Sequence, residues 1–528
     1  MRIAAIDLGS NSFHLLVAEA RPDGTFEPLS SDKEMLRLGS LVAATGQVGE
    51  EGTAAAVEVM RRFQATAESL GADELVACAT AALREAADSA AVVDRIEAAT
   101  GIAVRVISGR EEARLIFDAV RASVVIEPGP ALALDLGGGS LELMVGRRRG
   151  LVWSTSLKLG VGRLTAELVR SDPPSHGDRR RLVHATTNAV SGVLPEITSR
   201  SPRVAIGSSG TLTTLIRLAA GRPTPSQSVN QLRVSLADLQ ALGDELLAMT
   251  AAQRADLPGV DSRRADLLPA GVVVLTTVME LTGLDHLVGC EWAMREGMVL
   301  DTIGRHSTSD WIDDPHAIRR DSTLSLCRRC GWNEGHARKV SRLALDLFDG
   351  TRPLHDLDEG DRELLEYGGW LHDIGEHVSV EGHERHTAYL IEHGRLRGFS
   401  PEEVAELTCL GRFHRRGSPK SSFAPYAGLS GDRRRRVSQL VALLQVADGL
   451  DRSHGGPVQA VAVYLNRPGV VEVVVEASDD IDLELWGLRR KRELFERLFD
   501  VRLEVVSGQL ELSFDDPAVA KSGLARDL

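Results

Sequence analysis

The chain has 528 residues, a formal net charge of −14 and an apolar share of 43%. That length exceeds what one hydrophobic core serves, so several domains are expected, and the composition is that of an ordinary soluble globular protein. The acidic balance argues against a general nucleic-acid binder, and no apolar run approaches membrane-spanning length. Before Asp7 stand only one Arg and IAAI, far short of a signal-peptide core, so a cytoplasmic protein without a membrane partner is expected. Five cysteines in so long a chain do not form a disulfide framework; Cys327 and Cys330 make a C-x-x-C with no second pair to complete a zinc site.

From Ile3 to Ala20 the chain reads IAAIDLGSNSFHLLVAEA: an aliphatic run ending in Asp7, a Gly/Ser/Asn turn, and a second apolar run leaving it. This is a strand-turn-strand pattern. Gly9 lets backbone N–H groups approach an anion closely, Ser10 and Ser12 add hydroxyl donors, and a carboxylate just before the turn suits a hydrated Mg²⁺ that bridges to phosphate oxygens. A further strand and the segment EMLRLGS follow, then an amphipathic helix over about 50–70, the strand LVACAT, AALREAAD, a helix, the strand AVRVIS and a helix opening SGREEARLIF. The alternation predicts an α/β domain over residues 1–125.

ALALDLGGGSLELMVGR (131–147) repeats the opening, with Asp135 in the place of Asp7 and a turn of Gly137, Gly138, Gly139 and Ser140. Strands at 131, 141 and 151, helices after Gly160 and over 178–194, a strand before Gly207, a long apolar helix over 263–281 and a final strand and helix in HLVGCEWAMREGMVLDTIG predict a second α/β domain over 126–305. Within it RVAIGSSGTLTTLIRLA (203–219) is a third Gly/Ser turn, opening a helix whose free N–H groups would face an anion. One such turn alone reads as an ordinary hairpin; two matched copies and a third turn favour a phosphate-binding cleft. HSTSDWIDDP (306–315) has linker chemistry, 306–454 is helical throughout, and 455–528 returns to strands (AVAVYLN, VVEVVVEA, VRLEVV, LELSF) around the amphipathic ELWGLRRKRELFERLF, as a small α+β cap.

The duplicated hairpins resemble the actin-like (ribonuclease H-like) ATPase superfamily. The wording IDLGSNSFHLLV, DLGGGSLELMV and IGSSGT resembles the exopolyphosphatase / guanosine pentaphosphate phosphohydrolase (Ppx/GppA) family. The resemblance covers essentially the whole chain and implies two duplicated actin-like domains, an all-α HD-type domain and the α+β cap. It further implies hydrolysis of a terminal phosphoanhydride, with inorganic polyphosphate cut processively, or guanosine pentaphosphate converted to the tetraphosphate, by a homodimer without specific nucleic-acid binding.

On that resemblance the phosphate chain is held by Ser10, Asn11, Ser12, Thr80, Gly137, Gly138, Gly139, Ser140, Gly210 and Thr211, with Arg37 of EMLRLGS and Arg84 of ATAALREA supplying bidentate guanidinium forks. Asp7 and Asp135 would hold Mg²⁺ or Mn²⁺. E-A-R places the family's catalytic glutamate at Glu112, and Glu142 would assist it in positioning the attacking water. Glu112 reads equally as an acid complementing its helix N-terminus. Arg263 and Arg264 match more loosely, either on phosphate or structural, and REGM (295–298) is read as domain packing.

His336, then His372 and Asp373 in WLHDIG, then Asp448 in LLQVADGLDR resemble the metal-dependent HD phosphohydrolases, in which those four residues hold a divalent ion. His377, His383, His386 and His414 lie between. Either the domain keeps a second divalent ion, and with it a second phosphohydrolase activity, or it keeps the fold alone. Arg433 to Arg436 are expected to form a basic track for long polyphosphate, with a solvated face as the alternative. Two other readings remain open: a non-catalytic sensor of polyphosphate or alarmone, and an actin-like small-molecule kinase, whose adenosine pocket and acceptor-activating carboxylate have no visible counterpart.

Overall fold

The computed structural model describes residues 1–126, 128–221, 228–306 and 314–507. Most of the expected linker 306–315 and the expected strand LELSF (510–514) lie outside the described residues. Contacts divide the chain into two compact units, Met1–Ser322 with Arg395–Pro401, and Thr323–Gly394 with Glu402–Leu528. Both expected α/β domains fall in the first, together with 314–322 and Arg395–Pro401 of the expected all-α domain; the rest of that domain and the capping segment fall in the second.

The first unit contains two sheets built on one plan. Strands β1 (Arg2–Leu8), β2 (Ser12–Ala20), β3 (Phe26–Met35), β4 (Glu74–Ala79) and β5 (Val104–Val106) are ordered β3-β2-β1-β4-β5. Strands β6 (Ala131–Leu136), β7 (Leu141–Arg147), β8 (Gly150–Leu157), β9 (Val204–Ser208), β10 (Arg233–Ser235) and β11 (His286–Gly289) are ordered β10-β11-β9-β6-β7-β8. In each sheet the hairpin strand carrying the key aspartate pairs antiparallel with its successor and parallel with a later strand, which sets Asp7 opposite His14 and Asp135 opposite Glu142. The sequence repeat is therefore a repeat of topology.

IAAIDL and ALALDL are unbroken apolar runs because both faces of each strand are covered. Strand alternation sends Ile3 and Ala5, with Ala131 and Ala133, into one shared core, and sends Ala4 and Ile6, and Leu132 and Leu134, into separate outer cores. The shared core is filled by the helix Gly109–Ser123, whose Phe117 occupies the space over Gly146 where a Cβ would stand. The helix Met294–His306 presses on the same helix at Gly297, where a Cβ would collide with the Leu115 carbonyl. Backbone cannot yield as a side chain does, so Gly297→Ala is expected to cost about 1–3 kcal/mol of stability; a urea midpoint equal to that of the wild type would show that the two helices slide apart freely.

The expected helix over 263–281 begins at Leu268, because Pro269 suits only its first turn; Arg263 and Arg264 sit instead in the 3₁₀ turn Ser262–Arg264. EMLRLGS, left unassigned by pattern, runs into the helix Leu38–Thr45.

In the second unit the helices Glu334–Gly350, Glu359–Leu371, His383–His393, Pro401–Phe413 and Gly431–Gly449 account for the expected all-α region. Strands β12 (Val458–Arg467), β13 (Val470–Ala477) and β14 (Arg502–Ser507) form the cap sheet in that order. ELWGLRRKRELFERLF is split at Arg492 into helices Asp482–Lys491 and Glu493–Phe499. The arginine run expected to track polyphosphate is largely committed within the unit: Arg433 pairs with Glu406 at 2.7 Å, Arg434 donates to the Tyr426 carbonyl, and Arg436 lies 3.7 Å from Asp358. Arg435 is left exposed, so the run is mostly structural. Cys327 and Cys330 are free and buried. Among the described residues no helix is long and apolar enough to cross a membrane.

Candidate active site

Asp7 and Asp135 close their strands at the edge of a cleft of ≈ 670 Å³, which the two hairpin turns and the third turn, Ser209 to Thr211, all line. The turns interlock. The side chain of Asn11 fills the space over Gly138, a Cβ on Gly139 would lie 2.6 Å from Ser10 Oγ, and Gly160 abuts the backbone of Gly138 and Gly139. Val161 and Gly162 donate N–H bonds of 3.0 Å to the Gly137 and Gly138 carbonyls. Those carbonyls are thereby turned toward the helix Val161–Leu168. None of Gly9, Gly137, Gly138 and Gly139 is in the left-handed region, so at Gly9, Gly138 and Gly139 close approach, not positive φ, demands glycine. The left-handed residue lies in the third turn: Ser209, at φ 82°, opens the helix Ser209–Ala219.

Of the site residues read from sequence, Asp7, Ser10, Asn11, Ser12, Thr80, Glu112, Asp135, Gly137, Gly138, Gly139, Ser140, Gly210 and Thr211 line the cleft together. Glu112 arrives there because Ser108 caps the helix Gly109–Ser123, accepting from the Glu111 N–H, which puts Glu112 in the first turn facing inward.

Arg37, Arg84 and Glu142 are not among the lining residues. Arg37 is held by Asp266 at 3.0 Å. Arg84 Nη1 donates to Glu112 Oε2 at 3.0 Å and to the Ile107 carbonyl at 2.8 Å, so one guanidinium nitrogen, anchored on the backbone, orients the glutamate. Glu142 is fully buried behind the second turn, accepts from Ser156 Oγ at 2.7 Å, and leaves its Oε2 without a partner. Burial, with the charges of Glu112 and Asp135 behind it, holds its carboxyl well above the usual range.

Burial likewise pushes Asp7 up to about 8 and Asp135 up to about 7, with the Glu112 charge adding to each. Glu112 is raised by burial and drawn back by Arg84. Carboxylates that raise one another in this way, offering oxygen donors only, fit a hard divalent cation, which would relieve the repulsion.

Opposite them stand the cations Lys33, Arg217, Arg264, Arg295 and Arg395; of these the sequence offered Arg264 as a loose phosphate match and Arg295 as packing. Arg264 lies over Gly210, where a Cβ would strike its guanidinium. REGM divides its work, Arg295 lining the cleft and Gly297 packing the helices, which corrects its reading as packing alone. Lys33 is pushed down to about 8 by burial and by Arg264. His14 meets Ser12 Oγ at 2.8 Å and is kept neutral by burial and by Arg295 and Arg264. Arg395 has no local sequence signal. It is delivered by the segment Arg395–Pro401, anchored where Arg397 stacks on Trp292 at 4.2 Å and donates to the Ala122 carbonyl at 3.1 Å.

A family model described as the Ppx/GppA phosphatase family matches residues 16–306, and one described as Ppx/GppA phosphatase, domain III, matches 318–479. The chain is 35% identical over 358 residues to exopolyphosphatase 1 of Mycobacterium tuberculosis, covering 67% of this chain and 100% of that one. It is 27% identical to a guanosine-5'-triphosphate,3'-diphosphate pyrophosphatase of Aeromonas hydrophila over 77% of this chain and 79% of the relative. The crystal structure of an exopolyphosphatase from Cytophaga hutchinsonii aligns with a TM-score of 0.55 at 27% identity, over 58% of this chain and 98% of that one.

Proposed function

We propose, from the premise that this chain belongs to the Ppx/GppA phosphatase family, that its cleft hydrolyses the terminal phosphoanhydride of inorganic polyphosphate, with guanosine pentaphosphate as the second substrate of the same chemistry. One observation carries the reading: three glycine/serine turns and the cations Lys33, Arg217, Arg264, Arg295 and Arg395 face one cleft that also contains Glu112.

The turns offer backbone N–H and hydroxyl donors to successive phosphates, and the arginines neutralise the chain where it enters. Glu112 accepts a hydrogen bond from water and aims its oxygen at the terminal phosphorus, in line with the bridging oxygen that leaves. The new P–O bond forms as the anhydride P–O bond breaks; one proton of the water passes to Glu112 and onward to the leaving oxygen or solvent, and the other stays on the phosphate formed. Arg84 acts through Glu112, drawing its raised carboxyl back down and fixing it in place, and is a positioning residue. Asp7 and Asp135 would hold Mg²⁺, which when bound supplies charge neutralisation to the phosphoryl oxygens.

Phosphate release from polyphosphate and from guanosine pentaphosphate, measured side by side with Mg²⁺, tests the proposal. Release from neither substrate would leave a binding protein. Transfer of the phosphoryl group to an organic acceptor instead of water would make it a kinase.

The raised carboxyls of Asp7 and Asp135 bind protons more tightly folded than unfolded, so the stability they contribute is complete in acid and is lost as pH rises through about 7 to 8. A cation sharing those oxygens offsets the loss. Mg²⁺ is therefore expected to raise the melting temperature more near pH 8.5 than near pH 6, and an equal rise at both would place the ion elsewhere.

Arg395 belongs to the phosphate track rather than to the reacting centre on this reading. Arg395→Ala is expected to raise KM for polyphosphate by about tenfold with kcat nearly unchanged, the size of one charge-assisted hydrogen bond. A fall in kcat at constant KM would move Arg395 to the chemical step.

A further inference from the structure

We propose that Arg217, Arg395 and Glu291 form a subsite for the guanosine end of guanosine pentaphosphate, in which the two guanidiniums take phosphate oxygens and the Glu291 carboxylate accepts the N1–H and N2–H donors of guanine. The inference rests on the reading of the cleft as a phosphoanhydride hydrolase and adds what tells its two substrates apart.

All three side chains line the cleft. Arg217 shares one face of the helix Ser209–Ala219 with Gly210 and Thr213, and lies two helical turns, about 10 Å, beyond the third turn. Glu291 follows β11 and is held from both ends: its N–H donates to Asn230 Oδ1 at 2.8 Å, and its Oε1 accepts from the Val229 N–H at 3.0 Å. Arg395 is exposed and left-handed, at φ 54°, a conformation that a long side chain keeps only where its surroundings fix it. One anchor brings Arg395 and Glu291 together. Arg397, two residues after Arg395, stacks on Trp292, the residue after Glu291.

Other charged groups of the cleft have partners: Lys33 has Asp261 at 3.4 Å, Glu112 has Arg84 at 3.0 Å and Arg295 has Glu296 at 3.3 Å. Among the described residues the side chains of Arg217 and Arg395 and the Oε2 of Glu291 meet no partner at such distances, and Arg217 Nε is buried without one. Burial pulls Arg217 down, Glu291 holds it up and Arg395 pulls it down again, so both neighbours reach it. A carboxylate among these cations suits polyphosphate badly, since ionised internal phosphates offer acceptors only and are repelled. A nucleotide has both characters. Guanine presents two adjacent donors, N1–H and N2–H, to the two oxygens of a carboxylate, and Oε1 has a further lone pair beside its bond to Val229. Adenine sets its N1 acceptor beside its one amino donor and makes no such pair.

The rival is a structural Glu291 that holds the wall through Val229 and balances Arg217. The full chain separates the two by kcat/KM, with Mg²⁺, for guanosine pentaphosphate, its adenosine counterpart and polyphosphate, wild type against Glu291→Gln. The amide keeps the shape and an acceptor for the Val229 N–H, but sets an NH₂ group against the guanine donors. The wild type is expected to prefer the guanosine substrate to the adenosine one by about tenfold or more. Glu291→Gln should lose that preference while its kcat/KM for polyphosphate rises by about twofold, a repelling charge having gone. A structural residue would move both substrates the same way. A wild type that treats the two nucleosides alike overturns the proposal, as does a variant that keeps the preference or loses equally on guanosine pentaphosphate and polyphosphate. Should Glu291→Gln fail to fold, Glu291→Asp, which keeps the charge and shortens the reach, should lose the preference without the gain on polyphosphate, and an unchanged preference overturns the proposal. If neither substrate is hydrolysed, the hydrolase reading fails by itself, and equilibrium binding of guanosine tetraphosphate against its adenosine counterpart, wild type and variant, decides the subsite by the same tenfold preference.

Discussion

Glu112→Gln is expected to lower phosphate release by at least about 10²-fold, with polyphosphate affinity nearly unchanged. The amide keeps the shape of the side chain and its reach to Arg84 Nη1, now 3.0 Å from Oε2, but loses the charge that orients water. Removing a charge also relieves Asp7 and Asp135, both of which Glu112 raises, so ground-state binding of a cation is not expected to improve activity. The loss therefore belongs to the transition state and should appear in kcat. Arg84→Lys provides the companion measurement: a lysine keeps the charge but not the planar guanidinium whose Nη1 is anchored on the Ile107 carbonyl, so Glu112 is held less firmly and the acid limb of the pH–rate profile should move upward, which a merely structural arginine would not cause. Retention by Glu112→Gln of more than about a tenth of wild-type turnover would remove this glutamate from the chemistry.

What could be read in advance was whatever the chain writes locally. The hairpin around Asp7 and its copy around Asp135 are each one contiguous segment with turn chemistry between apolar runs, and Glu112 follows a capping serine at fixed spacing. Arg395 could not be read, because the segment that carries it lies between helices of the second unit and is seated in the first by contacts distant in sequence, such as those of Arg397 with Trp292 and the Ala122 carbonyl. Arg84 was visible as a basic residue but not as a partner of Glu112, since that pairing depends on where the strand before Thr80 ends relative to a helix 28 positions on. Glu142 was placed by strand alternation on the face of Ser140, and it is near Ser140; alternation does not say that the second turn covers it. His383 and His414 were visible as histidines lying between the HD residues, but only the helix packing sets both of them against Asp373.

The cradle itself makes the sharpest demand on sequence, and it comes from a residue outside the repeat. A Cβ on Gly160 would lie inside the backbone of Gly138 and Gly139, which has no rotamer to escape into, while one on Gly138 would first strike the side chain of Asn11. On Gly137 it would meet nothing nearer than the Ser140 carbonyl at 3.5 Å, an ordinary contact. Three alanines therefore probe three different things. Gly137→Ala leaves the protein intact and reports how closely the phosphate approaches. Gly138→Ala displaces Asn11, another lining residue. Gly160→Ala pushes the whole second turn, and with it the backbone donors, by something near an ångström. Misplacement of that size costs about 10²-fold, so Gly160→Ala is expected to lower kcat/KM for polyphosphate by that factor or more. The overpacking should also cost about 1–3 kcal/mol of stability, so activity is to be measured well below the melting temperature with circular dichroism alongside. A folded Gly160→Ala that hydrolyses polyphosphate at the wild-type rate would show that the position of the turn is not what binds the substrate, and the phosphate would then have to be held by the arginines alone.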